Sequence, residues 1–211
     1  MKKLLVLLFI INANVNFAQL SDGELIDTLQ KDVFKYFWDY AHPASKLSRE
    51  RLHEEDVLFD QNTVAIGGSG FGIMNIILGI ENDFISRSEG IAHLNTALDF
   101  LDNADRFHGA WPHWLNGNTG NVIPFSIFDD GGDLVETALL CQALICLREY
   151  FKNGSPQEQL LAQKANVLWK GVEWDWYTRG ENVLYWHWSP NFNWQMTVSY
   201  THLTLPTICS V

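Results

Sequence analysis

Basic side chains are scarce in this sequence: its 211 residues hold 14 Lys and Arg against 25 Asp and Glu, a formal net charge of -11. Such a surplus repels phosphate backbones, and no Lys/Arg cluster interrupts it, so nucleic acid is disfavoured as a partner. Cysteine is scarcer still, with three residues. Cys141 and Cys146 lie five apart in a helical pattern, about 140° around the axis, so they do not face one another for a disulfide or a shared metal. Neither a disulfide framework nor a zinc site is indicated, and no cofactor is implied. Long apolar runs are missing as well. The run Leu4–Ile11 has eight residues, where crossing a hydrocarbon core of about 30 Å takes roughly 20. Alternating strand patterns of useful length are also absent, although the long connections have room for short hairpins.

What remains is ordinary globular composition, 47% apolar and 18% charged, with an unusual nine tryptophans. Lys2 and Lys3, the apolar run, and then Phe17-Ala18-Gln19 follow the charged, hydrophobic and small-residue order of a secretory signal peptide. Cleavage is expected after Ala18, giving a leader at 1–18 and a periplasmic or secreted protein with no membrane contact after processing. Losing Lys2 and Lys3 would leave 12 basic and 25 acidic residues, formally -13.

Helical periodicity dominates the rest, and the helix starts carry chemical signals. Ser21-Asp22-Gly23-Glu24 is a capping box ahead of Leu25, Ile26, Leu29, Val33, Phe34 and Phe37, and Pro43 stops that helix. Gly67-Gly68-Ser69-Gly70 is expected to open a short, wholly apolar core helix from about Phe71 to Ile80. Ser86-Arg87-Ser88-Glu89 caps a third helix with Ile91, Leu94, Leu98 and Leu101 as its buried stripe. A fourth runs from Asp133 to Phe151, ended by Asn153-Gly154. Ser155-Pro156-Gln157-Glu158 starts a fifth carrying Leu161, Ala165, Leu168, Trp169 and Val172. The connections after the second and fourth helices are a few residues long, whereas those after the first, third and fifth are about twenty or more. In an up-and-down array alternate connections lie at the same end, so all the long ones gather on one side, where function concentrates.

Those long connections are rich in aromatics and polar groups. Trp111, His113 and Trp114 share one turn-rich segment, and Trp186, His187 and Trp188 share another. Stacked rings beside polar side chains suit the C–H faces and hydroxyls of sugars. The alternative is that these rings turn inward and plug the end of the helical core. The histidines lack the spacing of a metal-binding helix, which favours hydrogen bonding. Asp129-Asp130-Gly131-Gly132-Asp133-Leu134-Val135-Glu136-Thr137 places four carboxylates within eight residues. Like charges so close raise at least one pKa when desolvated, as a general acid near neutral pH requires. Asp133 and Glu136 also read as a capping box at a helix start, but Asp129 and Asp130 exceed what a cap requires.

The run Gly67–Met74, the segment His108–Gly117, the acidic stretch Asp129–Thr137 and the segment Glu181–Asn191 together resemble the glucoamylase-like proteins related to glycoside hydrolase family 144. The resemblance covers roughly Leu20 to Met196. It implies an all-α fold that is the N-terminal part of an (α/α)6 toroid, five helices of twelve, and inverting endo-hydrolysis of β-1,2-glucan, with an α-glucan or another β-glucan as the alternative substrate. A non-catalytic glycan-binding protein is the alternative from another class. Asp129, Asp133 and Glu136 match positions which that family uses for catalysis or for holding the sugar at the cleavage site. Asp130 would bind hydroxyls, Trp111, Trp114, Trp186 and Trp188 would stack on sugar rings, and His113 and His187 would donate hydrogen bonds. The catalytic domain is expected over 19–197. Residues 198–211 depart from the family pattern and resemble a read-through tail, and the second catalytic carboxylate is expected beyond residue 197.

Overall fold

The computed structural model describes residues 20–52, 61–195 and 199–200. The expected leader at 1–18 lies outside them, as does the tail at 198–211 apart from a two-residue strand. Five helices form the frame: α1 (Asp22–Trp38), α2 (Ile66–Glu81), α3 (Arg87–Asn103), α4 (Leu134–Phe151) and α5 (Pro156–Lys170). No helix among the described residues is long and apolar enough to cross a membrane.

Capping chemistry fixes three of the five starts. Ser21, Ser86 and Ser155 each accept a bond from the backbone N–H three residues on, and Glu24, Glu89 and Glu158 reach back to the cap residue. Each box satisfies amides that a helix N-terminus otherwise leaves unpaired. Asp133 caps α4 by accepting from Val135 and Glu136. The apolar faces then assemble: α2 packs chiefly on α4, and α4 on α5. Ile91, Leu94, Leu98 and Leu101 of α3 are buried as the periodicity requires, together with Leu161, Ala165 and Leu168 of α5. Cys141 and Cys146 are thiols on α4.

Two expectations are corrected. The Gly67–Gly70 run lies inside α2, which starts at Ile66. Its glycines are there for helix contact: a Cβ at Gly70 would lie 2.7 Å from the Leu139 carbonyl oxygen on α4. That approach offsets the helix-propensity penalty of glycine. The stripe on α1 is the second correction. Phe34 is buried, but Leu25, Ile26, Leu29 and Val33 are all exposed, so only the C-terminal half of that stripe has partners among the described residues.

The three long connections do gather at one end, and short strands tie them together. β1 (Thr63–Ala65) from the first pairs antiparallel with β2 (Trp114–Asn116) from the second, which pairs with β3 (Val122–Ile123). β4 (Gly132–Asp133), at the end of the second, pairs with β6 (His187–Trp188) from the third. β5 (Leu184–Tyr185) pairs with β7 (Ser199–Tyr200). These strands are two or three residues long, too short for their alternation to stand out in sequence.

Candidate active site

The acidic stretch ends the second long connection and runs straight into α4, so eight residues of chain carry four carboxylates at the loop end. Asp133 is held most firmly. Its Oδ1 accepts from the backbone N–H of Val135 at 2.8 Å and of Glu136 at 3.0 Å. Its Oδ2 lies 3.0 Å from His113 Nδ1. The backbone is pinned as well, with Asp133 N–H donating to the Trp111 carbonyl and Leu134 N–H to the Trp186 carbonyl. Asp133 is thus both helix cap and partner of His113, and it is 1% exposed.

Glu136, one turn on, reaches across to α2. Its Oε2 accepts from the Gly67 backbone N–H at 2.7 Å. Ala65, the residue before α2, supplies no side-chain cap, so Glu136 takes the place a local cap would fill, at the positive end of that helix. The preceding amide, Ile66 N–H, donates to the His113 carbonyl. Burial nevertheless raises the Glu136 pKa, with the Asp133 charge adding to it; the Gly67 N–H and His113 oppose the shift without cancelling it. His113 is displaced in the same direction. Burial works against its charged ring, but the bond to Asp133 and the fields of Glu136, Asp133 and Asp129 outweigh it, and its pKa is raised.

Asp129 and Asp130 diverge although they are adjacent. Asp129 is 2% exposed, with Oδ1 3.0 Å from His187 Nε2. Its Oδ2 has no hydrogen-bond partner among the described residues. Asp130 instead ties down the turn after β6, accepting from Ser189 Oγ and, at 2.6 Å, from Asn191 Nδ2. Atoms of His113, Asp129 and Asp133 converge within 4.8 Å, close enough to hold a metal ion. Hydrogen bonding accounts for two of the three, through the His113–Asp133 contact.

The aromatic candidates separate by burial. Trp111 is wholly buried, its indole N–H donates to the Leu101 carbonyl and Arg106 lies over its ring, so this tryptophan plugs the core end. His187 is 0% exposed, with its Nε2 against Asp129 Oδ1. Trp114 and Trp186 are half-buried. Trp114 meets the exposed Phe125 at a centroid distance of 4.9 Å, and Phe125 stacks on His113 at 4.1 Å. Trp188 is half-buried on the other face of β6 from His187, edge-on to His108 and Trp176. Sequence reasoning missed Phe125 and the role of Gly67. A lone Phe in a loop carries no signal, and a Gly-rich run reads as the opening of a helix rather than as a contact surface inside one.

No family model matches the chain. An endo-β-1,2-glucanase from Chitinophaga pinensis, solved with sophorotriose and glucose, superposes with a TM-score of 0.85 at 50% identity, over 88% of this chain and 45% of that one. The chain is a homologue of β-1,2-glucan hydrolases. A β-1,2-glucanase structure from Parabacteroides distasonis matches with a TM-score of 0.76 and 41% identity, over 83% of this chain and 25% of that one. An exo β-1,2-glucooligosaccharide sophorohydrolase, also from Parabacteroides distasonis, is 42% identical over 178 residues, 83% of this chain and 24% of the relative. The chain therefore spans less than half the length of each of these glucan hydrolase relatives.

Proposed function

We propose that this chain is part of an exported, inverting glycoside hydrolase that cleaves β-1,2-glucan, with Glu136 as the proton-donating acid. One observation carries the assignment: Glu136 is a half-buried carboxyl of raised pKa whose Oε2 is fixed by the Gly67 N–H. Such a group can hold a proton closer to neutrality and deliver it to a glycosidic oxygen. Asp133 orients His113 and closes the first turn of α4. We do not assign it as the water-activating partner, because both its oxygens are engaged. That partner is expected from a part of the protein outside the described residues. Trp114 and Phe125 offer the ring faces beside the acids, with Trp186 half-buried nearby in the chain.

The exposed apolar stripe Leu25, Ile26, Leu29 and Val33 supports the view that the five helices are the N-terminal part of an (α/α)6 toroid, since further helices would cover it. The relatives' substrates make β-1,2-glucan the first choice. Incubating the protein with β-1,2-glucan and with starch, and assaying new reducing ends, tests the assignment. Release from β-1,2-glucan alone is expected. Binding of glucan without cleavage, unchanged in Glu136→Gln, would support a glycan-binding protein instead.

A further inference from the structure

The alternation of β6 sends two neighbouring side chains to opposite sides of the β4–β6 pair. His187 goes to Asp129, and Trp188 goes to His108 and Trp176. On the Trp188 side lies an open cleft of about 320 Å³, lined by Asp175, Trp176, Arg179, Gly180 and Trp194. The acids of the candidate active site line no part of it.

Its construction is that of a platform rather than of packed core. One face of Trp176 stacks on His108, with centroids 3.7 Å apart and planes within 14°. His108 in turn lies 3.2 Å from Glu173 Oε2, so the indole is held from behind, yet it is 41% exposed. Trp194 stands 6.5 Å from Trp176 and is backed by the buried Tyr177. Arg179 lies over the rings of both Tyr185 and Trp194, which keeps its guanidinium at the cleft wall. Asp175 precedes the 3-10 turn Trp176–Thr178 but spends no side-chain bond on capping it. A rigid aromatic face with a carboxylate and a guanidinium at its edge meets the two halves of a pyranose ring, C–H face and hydroxyls.

The geometry points to this cleft as a second sugar-binding site that holds a glucosyl unit of a β-1,2-linked oligosaccharide by stacking on Trp176, apart from the acids. The inference rests on the glucan assignment above. A volume at the lower end of ordinary ligand sites fits one or two sugar units rather than a long chain.

Sophorotriose titration tests it, followed by calorimetry in the Glu136→Gln background so that the sugar is not consumed. Trp176→Ala is expected to weaken binding about tenfold, the loss of one stacked ring. Trp176→Phe, which keeps the packing on His108, should fall between that variant and its parent, and Asp175→Ala should also weaken binding. Unchanged affinity in both Trp176 variants overturns the cleft. If the native protein cleaves β-1,2-glucan while those variants bind normally, the cleft falls and the glucan assignment stands. If the native protein neither binds sophorotriose nor cleaves the glucan, both fall.

Discussion

Glu136 Oε2 sits 2.7 Å from the backbone nitrogen of Gly67, a contact that spans α4 and α2. It exists because residue 67 has no side chain: a Cβ there would lie 2.7 Å from that same oxygen and 3.0 Å from Leu139 Cδ1. The glycine thus brings a helix N-terminus to a carboxylate that burial would otherwise leave poorly solvated.

Gly67→Ala should therefore displace Glu136. Overpacking costs about 1–3 kcal/mol, against roughly 1 kcal/mol regained from helix propensity, so stability should change modestly while hydrolysis falls. Gly70→Ala meets the Leu139 backbone instead, which cannot swing aside, and should cost more stability. Thermal melts beside glucan hydrolysis rates check both.

Removing the Glu136 charge should separate stability from activity. The pKa is raised, so the folded state favours the protonated form. The stability linked to this group is complete below about pH 4.5, its ordinary value, and is lost as pH rises through the folded pKa. Near neutrality Glu136→Gln relieves that penalty and keeps an acceptor for Gly67. Its melting temperature should match or exceed that of the native protein, while hydrolysis drops by about 10²–10⁴-fold.

His113 gives a second pH signature. Its pKa is also raised, so folding favours the protonated ring; that contribution is complete below its ordinary value of 6.5 and is lost as pH rises through the folded pKa. His113→Asn should cost more stability at about pH 5.5 than at about pH 9. A pH-independent part of about 1–3 kcal/mol is expected if Asp133 Oδ2 is left unpaired. Denaturant titrations of both proteins at the two pH values measure the difference.

Trp111 should behave as core. Trp111→Ala is expected to cost about 3–5 kcal/mol, and Trp111→Phe less. In the Phe variant, sophorotriose affinity should stay near the native value, which calorimetry would show.

How far the sequence spoke for the structure follows from the range of each signal. Capping boxes at Ser21, Ser86 and Ser155 are local, and all three formed as their spacing requires. The loop end was legible from connection lengths alone. Gly67 reads as part of a run that opens a helix near Phe71 because glycine's local preference is for element ends, while its contact with Glu136 lies 69 residues away. The same limit hid the depth of Trp111 and His187, since burial depends on which strand pairs with which. The Leu25–Val33 stripe shows the reverse, a periodic signal left exposed among the described residues.

The most direct measurement is the rate of sophoro-oligosaccharide release from β-1,2-glucan, followed against pH in the native protein and in Glu136→Gln. Cleavage is expected to decline as pH rises through the elevated Glu136 pKa, with near-complete loss in the variant at every pH. Native-like cleavage by Glu136→Gln would contradict the assignment of Glu136.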